Sequence, residues 1–464
     1  MVGALGKALA RAGHETRIVT PLYRGIYEKF PGLKPEDWRF DLPLGATRVQ
    51  GKLHLLNVEK NLSVYFVEQD EFYNRDGIYL EDDASYADNA GRFIFFSKCA
   101  AHLARYWPWR PDLVHVHDWQ AAIVPALILH QKNSEGWGNP PATCLTIHNL
   151  AYQGIFPPDA FALTNLPREY FTPERMEFFG HLNCLKAGIV FADTITTVSP
   201  RYAREIMTEE FGCALDGILR KRRGHFYGIL NGVDYDEWNP SNDPFLTKNF
   251  SATRLAGKMA DKLALQREFG LPEDKNIPLF GTISRLAEQK GVDIQLGALE
   301  EMLSTEMQFV LLGSGATAYE RGYQELARRF PTKVAVRVGY DEGLAHRIEA
   351  GCDFYLMPSR FEPSGLNQMY SLRYGTIPVV RATGGLDDSV IDLTENADRA
   401  NGIKFREYSA HALAKAIRKA LVICQHPELL RRYRQNAMKA DFSWTRTVGE
   451  YLKVYEAAKL STSR

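Results

Sequence analysis

Short apolar runs alternate with longer helical patterns along the whole chain, and this alternation is the feature that most limits its fold. Such alternation is typical of βαβ units that build a parallel sheet. The runs form two sets, and each set is long enough for one doubly wound α/β domain. The predicted strands are 16–20, 63–68, 113–117, 143–147, 194–198 and 226–229 in the first set, and 279–283, 308–312, 333–338, 354–357 and 377–380 in the second.

The length of the chain also predicts two domains. Its 464 residues exceed what one hydrophobic core usually organises. The segment 231–240 is rich in turn-forming residues and follows the first set of strands, so we place the boundary there. We predict a Rossmann-like domain over 1–240, a second over 241–443 and a packing helix over 444–464. The domains are expected to face each other over a cleft, with ligands beyond the carboxyl ends of strands.

Charge and cysteine content exclude several classes of partner. Lys+Arg and Asp+Glu both number 56, which argues against bulk binding to nucleic acid or to an anionic membrane. The chain has no run of about 18 apolar residues that would predict a membrane span, and its N-terminus does not match a signal peptide. The six cysteines are scattered without a Cys-x-x-Cys pair. We therefore predict a cytoplasmic protein.

One carboxylate stands out because of the turn that surrounds it. Glu362 is followed by Pro363 and a glycine two residues later, so the backbone is preset and can approach a ligand closely. A Thr383-Gly384-Gly385 loop follows the next predicted strand, and backbone donors in such loops can bind phosphate. A lone glycine pair is more often a plain turn. Together with the Glu362 turn it favours a phosphate site.

Two cations follow the predicted strand 279–283. Arg285 and Lys290 would neutralise a pyrophosphate and stabilise it as a leaving group. The alternative is a solvated basic turn, which is the more common role for two cations alone. Their position after a strand, near Gly281 and Gly291, favours the phosphate. The residues together predict a glycosyltransferase that uses a sugar nucleotide.

Histidines and one aspartate lie at strand ends in the first half. His148 follows the strand 143–147 and is suited to binding a sugar hydroxyl, although a core histidine is the alternative. His115 and His117 share a strand face, which is conceivable for a metal pair. No third ligand has a recognisable spacing, so we predict no metal. Asp118 is better explained as a carboxylate that binds hydroxyl groups.

Taken in order, these motifs resemble those of bacterial glycogen synthases and plant-type starch synthases. The resemblance runs along almost the whole sequence and is highly specific as a set. It rests on the segments 73–79, 86–89, 92–93, 117–119, 146–154, 231–232, 285–291, 339–340, 360–366 and 383–386. It implies two facing Rossmann-like domains of the GT-B type. It also implies transfer of glucose from ADP-glucose to the non-reducing end of an α-1,4-glucan, with retained configuration and without a metal or cofactor.

The same resemblance implies roles for individual residues. Glu362, His148 and Asp118 are the catalytic candidates that would contact the transferred glucose or the reacting bond. The substrate-binding candidates are Asn231 near the sugar, Arg285 and Lys290 on the diphosphate, Tyr340 against adenine, Ser364, Gly365 and Leu366 in the Glu362 turn, and Thr383, Gly384 and Gly385 as backbone donors.

Two positions distinguish this chain from other relatives. Many family members have cysteine where this chain has Ser364, a near-isosteric change that we expect to be tolerated. Related retaining transferases often carry a second glutamate where this chain has Tyr370, as glycogen and starch synthases do. Tyr370 therefore disfavours sucrose synthase or a trehalose-phosphate synthase. An inactive glucan-binding or regulatory homologue remains the alternative from another class.

The resemblance also sets an expectation for the N-terminus. The family begins with a strand and a Lys-x-Gly-Gly-Leu loop that contacts the donor, whereas 1–5 of this chain is similar to the helix after that loop. We therefore expect the first domain to lack its central strand. An upstream start codon is the favoured explanation, and a fragment with an incomplete site is the alternative.

Overall fold

The computed structural model describes residues 1–81 and 84–462. The chain forms two compact units. Unit 1 comprises 1–198, 203–229 and the described part of the segment that begins at Trp444, and unit 2 comprises Ser199–Tyr202 and Leu230–Ser443. The segment 230–240, which we had placed in the first domain, thus belongs to unit 2. The C-terminal segment belongs to unit 1.

The strands are numbered here in chain order. They are β1 Thr16–Pro21, β2 Lys34–Leu44, β3 Thr47–Glu59, β4 Leu62–Glu68, β5 Leu80–Glu81, β6 Ala84–Ser85, β7 Leu113–His117, β8 Ala142–Ile147, β9 Ile155–Phe156, β10 Glu177–Phe178, β11 His181–Asn183, β12 Thr194–Thr197, β13 Phe226–Gly228, β14 Leu279–Ile283, β15 Gln308–Gly313, β16 Val334–Val338, β17 Phe354–Met357, β18 Ile377–Arg381 and β19 Ile403–Phe405.

Helices connect most of these strands. They are α1 Val2–Arg11, α2 Ile26–Lys29, α3 Asp70–Tyr73, α4 Asn89–Tyr106, α5 Asp118–Ala121, α6 Val124–Ser134, α7 Cys184–Phe191, α8 Pro200–Glu205, α9 Asp216–Lys221, α10 Ala256–Glu268, α11 Val292–Met302, α12 Thr317–Arg329, α13 Glu342–Gly351, α14 Asn367–Arg373, α15 Gly384–Ser389, α16 Ala410–Cys424, α17 Pro427–Lys439 and α18 Trp444–Thr462. Among the described residues, no helix has the length and apolar character needed to cross a membrane.

Unit 2 is built on one parallel sheet of six strands. Its order is β16-β15-β14-β17-β18-β19, and every neighbouring pair is parallel. Counted along the chain within this sheet, the order is 3-2-1-4-5-6, which is the doubly wound Rossmann order. All residues of β15 and β17 are buried, as expected for strands covered on both faces. The strand order reverses between β14 and β17, and ligands of such sheets bind at that reversal.

Unit 1 contains two sheets of four strands. The order β13-β12-β8-β7 is entirely parallel, whereas in the order β1-β4-β3-β2 only β1 and β4 run parallel. We predicted one doubly wound domain for the first half, and its parallel pairs are divided between these two sheets. The predicted strands of both halves are present, but the hairpin of β2 and β3 was missed.

The C-terminal helix α18 contributes to the core of unit 1. Trp444, Tyr451 and Tyr455 are at least nine-tenths buried and pack in one cluster with Leu5 and Ala8 of α1. Full burial of a large apolar side chain stabilises a fold by about 1.5–3 kcal/mol. The last helix is therefore part of the first unit's hydrophobic core.

Candidate functional site

A buried ion pair lies in the loops that follow β14 and β17. The Lys290 ammonium is 2.7 Å from Oε2 of Glu362, and the Ser359 hydroxyl donates to the same oxygen at 3.0 Å. Glu362 is only 6% exposed. A buried carboxylate is stable when a cation and hydrogen bonds compensate its lost hydration. Lys290 and Glu362 thus form one unit at the point where the strand order reverses.

Backbone contacts fix these two loops against each other. Gly291 has φ of +72°, and a Cβ atom on it would lie 2.1 Å from the carbonyl oxygen of Pro358. The N–H of Arg360 donates to the carbonyl of Gln289 at 2.9 Å. Since only glycine allows this approach, the loop that carries Lys290 is held beside the loop that carries Glu362.

The glycine pair after β18 packs on the same turn. A Cβ on Gly384 would lie 1.9 Å from the Glu362 carbonyl oxygen, and one on Gly385 would lie 1.9 Å from that of Ser364. The N–H of Gly385 donates to Glu362 O at 3.1 Å, and the N–H of Thr383 donates to Arg381 O at 2.9 Å. The glycines therefore shape the Glu362 turn, and a phosphate would have to replace existing hydrogen bonds of this loop.

The rest of the motif sets the start of α14. Leu366 is the residue before the helix, and Gly365 has φ of +67°. The Gln368 amide donates to Ser364 O at 3.1 Å and to Gly365 O at 3.0 Å. The backbone of 364–366 is thus fixed by the first turn of the helix that it precedes.

Three other candidates of unit 2 stand apart from the ion pair. Asn231 is 7% exposed, and its Oδ1 has no hydrogen-bond partner among the described residues. Tyr340 is 82% exposed, and Arg285 is also exposed. No hydrogen bond or ion pair joins any of the three to Glu362 within the described part of the chain. A buried unpaired amide oxygen and an exposed ring and guanidinium are all available to a ligand.

In unit 1, Asp118 directly follows β7 in a strained conformation. Its φ is +53°, and its Oδ1 accepts the N–H of His148 at 2.7 Å. Burial raises the pKa of Asp118 to about 7, although backbone hydrogen bonds from His148 and Asn149 partly oppose the shift. This carboxyl group is therefore able to exchange a proton near neutral pH.

His148 lies next to another buried histidine. Its Nε2 is 3.1 Å from Nδ1 of His117, and the two rings are stacked at 5.3 Å. Burial lowers the pKa of His148 to about 4, so the imidazole is neutral at pH 7. A neutral imidazole provides one hydrogen-bond donor and one acceptor.

His115 has a structural role. Its Nδ1 lies 2.8 Å from the hydroxyl of Tyr455 on α18, and its Nε2 lies 2.6 Å from that of Thr146 on β8. Both nitrogens are therefore engaged by the protein. The expectation that His115 and His117 bind no metal stays a prediction.

Sequence reasoning missed several residues around the Glu362 turn. Ser359 hydrogen-bonds to Glu362, and the Tyr408 ring lies under the guanidinium groups of Arg360 and Arg381, at 4.7 and 5.6 Å. Ser359 lies two residues after the end of β17, and this position was a usable signal. Tyr408 lies in the connection between β19 and α16, and no local sequence pattern indicates its contact with Arg360 and Arg381.

The motif around residues 73–93 is structural in unit 1. Arg92 is fully buried, and its guanidinium donates to Phe72 O at 2.6 Å and to Ile78 O at 2.9 Å. Tyr73 in turn donates its hydroxyl proton to Arg92 O at 2.8 Å. These hydrogen bonds connect α4 to α3 and to the backbone at Ile78.

Family models match both halves of the chain. Residues 1–221 match the model described as the starch synthase catalytic domain, and residues 261–440 match the model of glycosyl transferases group 1. The two matches fall mainly in unit 1 and in unit 2, respectively.

Curated relatives are similar over nearly the full length. A glycogen synthase of Anaeromyxobacter dehalogenans is 46% identical over 457 residues, which are 98% of this chain and 94% of that protein. Glycogen synthase 2 of Geobacter sulfurreducens is 42% identical over 458 residues, or 99% of this chain and 94% of the relative.

Solved structures are similar as well. The catalytic domain of starch synthase IV from Arabidopsis thaliana, bound to ADP and acarbose, matches with a TM-score of 0.89 and 34% identity, covering 99% of this chain and 95% of that one. A sucrose-phosphate synthase from Thermosynechococcus elongatus matches with a TM-score of 0.59 and 18% identity, covering 100% and 93%, which is a likeness of fold alone.

Proposed function

Because the chain belongs to the family of glycogen synthases and starch synthases, which are glycosyltransferases, we propose that it transfers glucose from ADP-glucose to an α-1,4-glucan. The acceptor is the non-reducing end of the glucan, and the configuration at the anomeric carbon is retained. The reaction takes place in the cytoplasm and needs neither a cofactor nor a metal in its chemical step.

The observation that carries this proposal is the Lys290–Glu362 pair at the strand-order reversal of unit 2. A sugar nucleotide needs cations for its diphosphate and polar groups for its sugar, and doubly wound sheets bind such ligands at this position. Lys290 reaches Glu362 at 2.7 Å, so the group that would hold phosphate and the group that would hold glucose are already adjacent.

We assign the diphosphate to Arg285 and Lys290. Negative charge develops on the departing phosphate as the glycosidic bond breaks, and fixed cations stabilise that charge without reorganising. The exposed ring of Tyr340 is available to stack on adenine. The unpaired Oδ1 of Asn231 supports its assignment to a sugar hydroxyl.

We also assign sugar binding to Asp118 and His148 of unit 1. A carboxyl group with a pKa of about 7 either accepts or donates a hydrogen bond at neutral pH, and the neutral imidazole does both. Sugar hydroxyl groups need partners of both kinds. The starch synthase that this chain resembles is described as bound to ADP and acarbose, which supports the proposed donor nucleotide and glucan acceptor.

The test is incorporation of radiolabelled glucose into glycogen, with ADP-glucose and UDP-glucose assayed in parallel. We expect incorporation from ADP-glucose, and we expect it to be unchanged by a chelator. Glycogen binding without incorporation from either donor would instead indicate the glucan-binding homologue. Formation of sucrose from either donor and fructose would instead identify another retaining transferase of the same architecture.

A further inference from the structure

A histidine and two glutamates of unit 2 lie together away from the Lys290–Glu362 pair. A ring nitrogen of His346 and one carboxylate oxygen each of Glu237 and Glu342 lie within 4.8 Å of one another. Glu342 and His346 are one turn apart on α13, and Glu237 comes from the turn-rich segment 231–240. Both glutamates are exposed, whereas His346 is 1% exposed.

The buried histidine is oriented by a carboxylate behind it. Nδ1 of His346 is 2.7 Å from Oδ2 of Asp243, and both side chains are almost completely buried. Asp243 also accepts the hydroxyl of Tyr374 and, through Oδ1, the N–H of Phe245 at 2.9 Å. A carboxylate can only accept hydrogen bonds, so Nδ1 of His346 faces Asp243 as the donor.

The other nitrogen of this ring is left without a partner. Among the described residues, Nε2 of His346 is a buried polar atom with no hydrogen bond. With the proton on Nδ1, Nε2 presents a lone pair, and a buried acceptor that is left unpaired costs free energy. Histidines that bind metals commonly donate their second N–H to a carboxylate in this way.

Aromatic stacking fixes the ring further. The ring centroids of Trp238 and His346 are 3.8 Å apart, with an interplanar angle of 11°. The Tyr370 ring also stacks on Trp238, with a centroid distance of 3.9 Å and an angle of 2°. Because Trp238 follows Glu237 directly, the stack also places the backbone of Glu237 beside the imidazole. The nitrogen ligand is therefore preorganised, while the exposed glutamate side chains are able to adjust.

We propose that Nε2 of His346 and the carboxylates of Glu237 and Glu342 bind one divalent transition-metal ion, with Zn²⁺ as the best fit. Zn²⁺ accepts nitrogen and oxygen ligands at about 2.0–2.2 Å and often keeps one further position for water. Mg²⁺ and Ca²⁺ prefer oxygen ligands, so an imidazole nitrogen in the site disfavours both ions. Two carboxylates balance the charge of the ion, and the ion in turn removes their mutual repulsion.

The ion would connect the segment 231–240 to the start of α13. Tyr340 lies two residues before Glu342, so binding would also restrain the backbone next to that exposed ring. The site serves to stabilise unit 2 and takes no part in the proposed chemical step. It does not depend on the proposed function.

The first test measures Zn²⁺ affinity of the full chain by competition with a chromogenic chelator, after Cys213, the exposed cysteine, is replaced by serine. We expect one Zn²⁺ per chain and a rise in melting temperature on binding. Glu237→Gln and Glu342→Gln should each weaken binding by at least about tenfold. Glu428→Gln is the control, because Glu428 is also an exposed glutamate in the first turn of a helix.

A second measurement locates the ion. Ni²⁺, which quenches fluorescence, should reduce the emission of Trp238, and this decrease should be absent in the Trp238→Phe variant and weakened in Glu342→Gln. Zn²⁺ affinity that is equal in all the glutamate variants, or is lowered equally by Glu428→Gln, would overturn the proposal. So would quenching that persists in Trp238→Phe. The glutamate variants change only exposed side chains, so misfolding does not obscure their Zn²⁺ affinities, and thermal melting checks the fold of Trp238→Phe.

Discussion

Asp118 of unit 1 and Glu362 of unit 2 both follow strands of a parallel sheet, but their charges are compensated differently. Asp118 accepts backbone N–H groups, and burial raises its pKa to about 7. Glu362 accepts a hydrogen bond from the Lys290 ammonium at 2.7 Å and another from a hydroxyl group. A cation therefore compensates one carboxylate, whereas protonation compensates the other.

This difference shows how one chain obtains two kinds of carboxyl group at neutral pH. A partly protonated carboxyl group binds sugar hydroxyls as donor or acceptor. An ion-paired carboxylate keeps a fixed position and remains next to the cation that we assign to phosphate. The environment supplied by the neighbouring loop, and not the residue type, determines the difference.

The largest effect is expected for Glu362→Gln. The amide keeps the size of the side chain but removes the charge that pairs with Lys290, so we expect kcat to fall by about 10³-fold while the fold is retained. Glucose incorporation measures kcat, and thermal melting checks the fold. Glu273→Gln is the control, because Glu273 pairs with Arg267 at the surface. An active Glu362→Gln variant would remove Glu362 from the catalytic residues.

Lys290→Gln should have the next largest effect. It removes a proposed phosphate contact and leaves the buried Glu362 without its cation, so we expect kcat/KM for ADP-glucose to fall by about 10²-fold. Calorimetric titration with ADP separates binding from chemistry, and Lys415→Gln, an exposed lysine on α16, is the control. The double variant with Glu362→Gln should lose less than the product of the two single effects. Unchanged ADP affinity would contradict the assignment of Lys290.

Gly384→Ala should lower the stability of the protein through a clash with the Glu362 turn. The new Cβ would lie 1.9 Å from the Glu362 carbonyl oxygen, at a φ of +44°, so we expect unfolding free energy to fall by about 2–3 kcal/mol. Urea unfolding measures this loss. Gly224→Ala provides the control, since a Cβ there has nothing within 4 Å. Equal stability of the two variants would contradict the close packing of this turn.

The smallest effect concerns the pH dependence of stability at Asp118. Its pKa rises from 3.8 to about 7 on folding, so the folded state holds a proton that the unfolded state releases. The free energy of unfolding should therefore fall as pH rises from about 4 to about 7, by about 1–2 kcal/mol for this partly accessible group. Urea titrations of the wild type and Asp118→Asn should show a larger fall in the wild type, because the other titrating groups are common to both. A parallel pH dependence in both would contradict the shift.

The sequence predicted the strands of the parallel sheets because their buried faces produce continuous apolar runs. It did not predict β2 and β3, whose antiparallel pairing leaves every second residue of β2 exposed near its end. The three-residue strand β19 was missed as well. Local composition was thus sufficient for the strands with continuous apolar runs but not for the alternating strands of the β2–β3 hairpin.

For the candidate site, the sequence suggested Glu362 and Lys290 in unit 2 and Asp118 and His148 in unit 1, and these assignments stay predictions, but it did not predict the contacts within each pair. The bond between Lys290 and Glu362 spans 72 positions, and spacing cannot predict such a contact. The proposed metal ligands were missed for the same reason. The one local signal was the i, i+4 spacing of Glu342 and His346, which places both on one helix face.

The return of the chain to unit 1 through α18 has a consequence for dissecting the protein. A protease cut near residue 230 would separate the first part of unit 1 from Trp444, Tyr451 and Tyr455, which belong to its core. Because these side chains hold the two fragments together, the fragments should remain associated after cleavage and dissociate only in denaturant. A gene truncated at that point would encode a first half with an uncovered apolar surface, whereas a circular permutant joining α18 to α1 would keep the complete unit contiguous.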